Sequence, residues 1–178
     1  MKTLPRQEAN IKWDTLWSDM KSEWFKLEVL QDYSAEEGES LKAWMAGDKK
    51  RSVKLLTSES LEWLDDCRQK VESGVKLIRI HIVDYPLSEY IKWEIEAYKH
   101  RNIPLGKEDV YLLNRKDISS LNLPDGDLMI FDKTNAVIGH YDESGYAVSQ
   151  TFYDENDDIS EFLELRAALL KSNLVKVT

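Results

Sequence analysis

The sequence predicts a mixed α/β protein, in which a sheet with a βαβ unit and an antiparallel meander is flanked by helices. Residues 75–83 form a nearly continuous apolar run, which is typical of a strand buried on both faces. A helical pattern over residues 86–101 follows, and a second strand is predicted at residues 109–114. Because a crossover helix joins them, these two strands are expected to run parallel. Short turns separate the strands predicted after them, which favours antiparallel pairing.

Before the βαβ unit, the hydrophobic pattern changes period several times. Residues 10–20 carry apolar side chains near helical spacing and predict a short amphipathic helix. Residues 23–31 alternate and predict a strand with one polar face. A second helix is predicted at residues 36–46, closed by Gly47, and residues 49–56 are interpreted as a polar connection.

A further helix is expected to precede the first predicted strand of the βαβ unit. Thr57 or Ser58 is its predicted cap, and it runs to about Ser73. In the helix after that strand, Pro86 suits the first position. The strands predicted for the meander are residues 127–131, 136–141 and 146–153.

Residues 157–174 are predicted to form the closing helix, with Asp158 and Glu161 at capping-box spacing. We expect the whole chain to form one domain, in which residues 1–56 pack on an α/β core made by residues 57–178.

Composition and charge argue against several functional classes. The chain has 178 residues, of which 42% are hydrophobic and 32% charged, as in ordinary globular domains. A net charge of −9 makes direct nucleic-acid binding an unlikely function. Apolar runs are too short for a membrane span and no apolar leader is visible, so a cytoplasmic location is expected. The single cysteine, Cys67, excludes an intrachain disulfide and favours a packing role.

Motif searches find no complete catalytic set. The sequence contains no glycine-rich phosphate loop and no G-x-S-x-G elbow. We therefore predict no cofactor.

Several segments together resemble an uncharacterised family of short bacterial proteins that are often encoded beside helix-turn-helix regulators. The segments that carry the resemblance are residues 32–33, 43–47, 74–94, 106–110, Arg115 and 123–142. The resemblance spans most of the chain and implies no particular activity. It does imply a possible protein partner, such as a helix-turn-helix regulator.

The predicted architecture is also similar to one half of a phospholipase D domain. That domain carries an H-x-K motif on a strand comparable to residues 127–131, where the His is the nucleophile and the Lys binds phosphate. Here Asp127 stands at the position of the His and Met129 at that of the Lys. A phospholipase D-like sheet without that chemistry is therefore expected.

The predicted topology places a candidate ligand site at the carboxyl ends of the two parallel strands, where open α/β sheets bind ligands. The candidate ligand-binding residues at this rim are Asp84, Tyr85, Ser88, Tyr90 and Arg115. Their aromatic rings, hydroxyls and single guanidinium suit a small polar or anionic ligand. The alternative interpretation is that Ser88 and its neighbours only begin a helix.

A second candidate site is an acid or metal cluster made by Asp127, Asp132, His140 and Asp142. Polar residues at strand ends usually serve turns, which is the competing interpretation.

Three functions remain open at this point. The favoured one is a non-catalytic ligand-sensing or protein-interaction module tied to transcription regulation, with a homodimer as its candidate assembly. The others are a metal-dependent phosphoester hydrolase that uses the acid cluster and an acidic inhibitor or immunity-type protein that binds a basic partner.

Overall fold

The computed structural model describes residues 1–33, 38–58 and 62–178. In chain order, the strands within these residues are β1 (Lys2–Pro5), β2 (Glu23–Glu28), β3 (Lys76–Val83), β4 (Asp109–Asn114), β5 (Asp127–Phe131), β6 (Asn135–Tyr141), β7 (Ala147–Tyr153) and β8 (Val175–Lys176). The α-helices are α1 (Arg6–Asp19), α2 (Glu39–Met45), α3 (Lys49–Ser58), α4 (Glu62–Glu72), α5 (Glu89–Ala97), α6 (Ile103–Gly106) and α7 (Ser160–Leu169). A π-helical turn (Tyr98–Asn102) joins α5 to α6, and a 3-10 turn (Arg115–Ile118) follows β4.

The strands form one mixed sheet in the order β1-β7-β6-β5-β2-β3-β4-β8. β3 and β4 are parallel neighbours, and β5, β6 and β7 form an antiparallel meander, so the predicted mixed α/β class is confirmed. β2 lies at the centre of the sheet, parallel to β3 and antiparallel to β5. The N-terminal part of the chain therefore supplies a central strand of the sheet.

Side chains alternate along the strands, so each face of the sheet builds its own core. On one face, Phe25, Leu27 and Ile80 pack with Leu165 and Leu169 of α7. The opposite face carries two apolar clusters. One of them is a set of residues from the sheet, α1 and α4 that includes Trp17, Trp24, Cys67, Leu77 and Phe131. The other is a set from β3, β4, α2 and α5 that includes Leu41, Trp44, Val83, Ile91 and Val110.

The prediction of a polar connection at residues 49–56 is wrong, because these residues form most of α3. Ser52 and Leu56, four positions apart, are the buried residues of a ten-residue helix that carries four cations, Lys49, Lys50, Arg51 and Lys54. Because one of these two residues is polar and the cations are clustered, the segment resembles a solvated connection in sequence. The Ser52 carbonyl and hydroxyl oxygens each lie 3.0 Å from the Ser40 hydroxyl oxygen of α2.

The caps predicted for the next helix are also wrong. Thr57 and Ser58 end α3, where their hydroxyls donate to the carbonyls of Lys54 at 2.9 Å and Leu55 at 3.2 Å. The segment between them and α4, residues 59–61, lies outside the described residues, as does the predicted start of the second helix at residues 36–37.

Helix α5 begins later than predicted. Ser88 caps it, and the Ser88 hydroxyl oxygen accepts a hydrogen bond from the Ile91 amide at 3.1 Å. Pro86 therefore precedes the helix and does not occupy its first position. The capping box predicted for the closing helix is also absent, since Asp158 accepts from the Ser160 amide at 2.9 Å and Ile159 stands at the cap.

Other boundaries shift by a few residues. Helix α1 begins at Arg6, before the predicted residue 10, and an additional edge strand, β1, precedes it. The central strand β2 ends at Glu28 instead of residue 31. Among the described residues, no helix combines the length and the apolar character that crossing a membrane requires.

A charged cavity on the central sheet

Charged side chains occupy the middle of the sheet face that α1, α4 and α5 cover. Lys26 and Glu28 project from β2, Arg79 and His81 from β3, and Asp127 from β5. Glu28, Arg79, His81 and Asp127 are all buried. Because burial of a charge without a partner is very unfavourable, the contacts of these groups decide what the site can do.

Arg79 connects two carboxylates from different elements. Its Nη1 donates to Glu28 Oε1, and its Nε donates to Glu108 Oε2 at 2.7 Å. Glu28 also pairs with Lys26, whose Nζ lies 2.7 Å from Oε1. Burial acts to raise the pKa of Glu28, but Arg79 and Lys26 outweigh it, so the pKa lies well below its ordinary value. These groups form a charge-compensated network in the sheet interior.

His81 lies at the inner end of this network. Its Nε2 is 2.8 Å from the Leu30 carbonyl oxygen and donates to it, and its Nδ1 is 2.9 Å from the Tyr98 hydroxyl. Nδ1 also lies 3.1 Å from Glu94 Oε2 and 3.7 Å from Glu28 Oε2. Burial opposes the charged imidazole, but Glu94 and Glu28 raise the pKa of His81 to about 9.

Asp127 is held by hydrogen bonds from three directions. Its Oδ1 accepts from the Tyr33 hydroxyl at 2.6 Å and the Val29 amide at 3.1 Å. Its Oδ2 accepts from the Tyr141 hydroxyl at 2.8 Å. Burial raises the pKa of Asp127 above its ordinary value, and Lys26 acts against that rise. Desolvation is therefore the dominant influence on this carboxyl group.

Above this network lies a cavity of about 470 Å³, which we call the charged cavity. The charged side chains that line it are Arg6, Lys26, Glu28, Arg79, Glu94 and Arg101. Four of these groups are cations and two are carboxylates, so the lining carries an excess of positive charge in a protein whose net charge is −9. Its volume lies within the range of small-molecule sites.

Tryptophan side chains border one side of the charged cavity. Trp63 of α4 lines both it and an adjoining cavity of about 430 Å³, which Trp13 and Trp24 also line. The ring centroids of Trp13 and Trp63 are 5.3 Å apart, and both side chains are partly exposed. Indole faces beside cations present a flat apolar surface next to a charged one.

The predicted rim residues lie at the carboxyl end of the parallel strands, as expected from topology. Arg115 Nε is 3.2 Å from Asp84 Oδ1, and its Nη2 donates to the Val29 carbonyl at 2.6 Å. Tyr85 is exposed, and Ser88 caps α5. Tyr90 does not join this rim, because it is buried and lines the charged cavity.

The four residues of the alternative acid cluster each serve a different contact. Asp132, at the other end of β5 from Asp127, accepts from the amides of Lys21 and Ser22, each at 2.7 Å. His140 Nε2 lies 2.8 Å from the Thr151 hydroxyl.

Asp142 accepts from the Ser144 amide at 2.8 Å in the turn that follows β6. In the described part of the chain, the acid and histidine groups that could jointly hold a metal ion are instead Glu28, His81 and Glu94.

Sequence reasoning missed most of the charged cavity. Arg79 and His81 interrupt the apolar run of β3, and Lys26 and Glu28 alternate with apolar residues in β2. In a strand covered on both faces, such polar residues must be buried and paired, which is the signal that could have revealed them. The partners Glu94 and Glu108 come from distant parts of the chain and carry no comparable signal.

The fold and the site define a class of protein: a mixed α/β protein whose central sheet carries a buried charged network beneath a cavity of ligand size. The chain belongs to a family described as a domain of unknown function, DUF6879, whose model matches residues 11–174. The expected membership in an uncharacterised family is thus confirmed. No curated protein matches the chain.

Proposed function

We propose that this protein is a non-catalytic module that binds a small anion carrying a planar ring in the charged cavity. The observation that carries the proposal is the positive lining of that cavity in an acidic protein. Cations gathered in one concave site attract an anion and strengthen its hydrogen bonds where water is excluded.

The positions of the cations favour binding of an anion that enters through the mouth of the charged cavity. Arg79 and Lys26 lie on the sheet and are engaged with Glu28. Arg6 and Arg101 are partly exposed and come from α1 and the π-helical turn. Arginine can present two parallel N–H groups to a carboxylate or phosphate, so Arg101 is well suited to a direct contact.

The tryptophan side chains beside the charged cavity favour a ligand that also carries a planar ring. Trp13 and Trp63 expose part of their indole surface beside the cations. A ligand with an aromatic ring and an acidic group would stack on indole while its anionic end meets arginine.

The contacts of the reactive groups support binding over catalysis. Glu28 and His81 are held in the buried network, and Cys67 is fully buried in α4. Burial raises the pKa of the Cys67 thiol, and Glu108 raises it further, so the nucleophilic thiolate is disfavoured.

The test is isothermal titration of the purified chain with two ring-bearing anions, AMP and indole-3-carboxylate. Adenosine, which lacks the anionic group, and inorganic phosphate, which lacks the ring, serve as comparison probes. At least one ring-bearing anion should bind. Adenosine and inorganic phosphate should bind more than about tenfold more weakly than that anion, since loss of a charge-assisted hydrogen bond costs about 1.5–3 kcal/mol. Absence of binding by both ring-bearing anions would overturn the proposal.

A pair of variants locates the site. Arg101→Gln should weaken binding by about tenfold or more. Lys99→Gln is the matched control, because Lys99 lies in the same turn and pairs with Glu96 at 3.5 Å without lining the charged cavity. Equal loss in both variants would assign the effect to general charge and would contradict the proposed site.

The proposal also includes a partner and a location. By its family resemblance, the module would act in the bacterial cytoplasm with a helix-turn-helix regulator, reporting ligand occupancy to it. A pull-down from the native host that recovers no such regulator, with and without added ligand, would contradict this part. The fold likeness to one half of a phospholipase D domain stays a prediction and supplies no residue to the site.

A further inference from the structure

We infer that Glu28, His81 and Glu94 form a binding site for one divalent transition-metal ion, of which Zn²⁺ is the best fit. The ligand atoms would be Glu28 Oε2, His81 Nδ1 and Glu94 Oε2. The inference does not depend on anion binding, because the ion would lie in the buried network and can be titrated by itself.

The spacing of the three atoms matches a tetrahedral ion. His81 Nδ1 lies 3.1 Å from Glu94 Oε2 and 3.7 Å from Glu28 Oε2, and the whole set lies within 4.8 Å. Ligand atoms at about 2.0–2.1 Å from a tetrahedral Zn²⁺ are separated from each other by about 3.3 Å. Both nitrogen–oxygen distances are therefore close to this value, and the two carboxylate oxygens lie within 4.8 Å of each other.

Glu94 supplies an independent reason to expect a ligand. Its side chain is about nine-tenths buried, and its Oε2 has no hydrogen-bond partner among the described residues. The His81 ring nitrogen lies 3.1 Å away and forms an ion pair with that oxygen only when the ring is protonated. With a neutral ring, this buried carboxylate oxygen would have no partner, and buried polar oxygens in folded proteins nearly always contact a partner such as an ion or a water.

His81 is already oriented as a metal ligand would be. Its Nε2 donates to the Leu30 carbonyl, which leaves Nδ1 as the atom that faces the carboxylates. Metal-binding histidines usually donate their second N–H to a carbonyl or carboxylate in this way, which fixes the ring and its tautomer. Tyr98, whose hydroxyl is 2.9 Å from Nδ1, would be near the fourth position.

An entry path also exists. Glu28 and Glu94 both line the charged cavity, so an ion can reach them without unfolding of the sheet. Lys26 and Arg79 contact Glu28 Oε1, whereas Glu28 Oε2 accepts a hydrogen bond from the Tyr98 hydroxyl at 2.6 Å, which an ion bound at Oε2 would replace.

The experiment is titration of the EDTA-treated full chain with Zn²⁺ alone and, separately, with Co²⁺ as a spectroscopic probe. One ion per chain should bind, and Co²⁺ should give the visible absorption of a tetrahedral site. Glu94→Gln should weaken Zn²⁺ binding by more than the roughly 10-fold to 100-fold typical of losing an outer-shell partner. No binding, or unchanged affinity in a folded Glu94→Gln variant, would overturn the inference.

Glu96→Gln is the matched control. Glu96 lies two residues away on α5 and contacts His100 at 3.4 Å in a partly exposed pair that could hold an adventitious ion. Its substitution should leave Zn²⁺ affinity unchanged. A loss in this variant equal to that in Glu94→Gln would place the ion elsewhere.

A second measurement covers the case in which Glu94→Gln does not fold. X-ray absorption of the Zn²⁺-loaded natural chain should show one imidazole and otherwise oxygen ligands at about 2.0–2.2 Å. A sulfur ligand, or more than one imidazole, would overturn the inference. Binding of AMP or its absence has no bearing on this result, so the two proposals can fail separately.

Discussion

Replacement of Arg79 by methionine tests whether the buried network stabilises the fold. Arg79 bonds to Glu28 through Nη1 and to Glu108 through Nε, and all three side chains are buried. Methionine keeps much of the length of the side chain but removes its charge and its donors. Glu108 would retain a hydrogen bond from Asn102 at 3.1 Å, and Glu28 would retain the Lys26 ion pair at 2.7 Å.

The size of the effect follows from what remains after the substitution. Removing one partner of a buried ion pair destabilises a protein by about 3–5 kcal/mol, because a buried charge loses its compensation. Since each carboxylate here keeps another partner, we expect Arg79→Met to lower the free energy of unfolding by about 3 kcal/mol. In a chain of this size, that corresponds to a loss of roughly 6–12 °C in Tm.

The assay is urea unfolding followed by tryptophan fluorescence, with a double variant to isolate the pairing. Arg79→Met with Glu108→Gln should be less destabilised than the sum of the two single variants, by about 1–2 kcal/mol. Arg68→Met is the control, because Arg68 pairs with Asp65 at the surface and should change stability by less than about 0.5 kcal/mol. A loss below about 1 kcal/mol for Arg79→Met, or strict additivity in the double variant, would refute this reasoning.

Two further predictions concern single groups outside the network. Burial acts to raise the pKa of Asp132, but hydrogen bonds from Glu23, Lys21 and Ser22 outweigh it and lower the pKa. The ionised Asp132 therefore stabilises the fold above the unfolded-state pKa of about 3.9, and this stabilisation is lost as the pH falls through the lower folded-state pKa. Asp132→Asn should reduce Tm clearly at pH 7 and little near pH 2. An equal reduction of Tm at the two pH values would contradict this prediction. Cys67 should react with a thiol reagent more than about 100-fold more slowly in the native chain than in urea, because its side chain is fully buried. Rapid labelling of the native chain would show that Cys67 is not buried.

Local sequence patterns predicted much of the sheet. The bounds predicted for β4 and β5 agree with the structure, and β3 differs by one residue. These strands are short runs of apolar residues bounded by turns, and such signals lie within a few residues of each other. α3 escaped prediction because its buried surface is limited to residues such as Ser52 and Leu56.

The site was less accessible to prediction for a physical reason. Topology correctly placed Asp84 and Arg115 together at the carboxyl rim of β3 and β4. The charged cavity lies instead over the sheet face, where Lys26 from β2 meets Arg79 from β3 and Glu94 from α5. A ligand site on a face depends on which helices cover that face, and short-range patterns do not contain this information.

By itself, the sequence determined strands β2 to β7, the βαβ unit and the acidity, because alternation, turn residues and composition are properties of neighbouring residues. Tertiary structure alone decided that β2 enters the centre of the sheet and that Glu28, Arg79, His81 and Glu94 meet there. These charges are stable inside the protein only because distant elements bring their partners within hydrogen-bond distance. That long-range pairing forms the floor of the charged cavity and is the basis of both proposals.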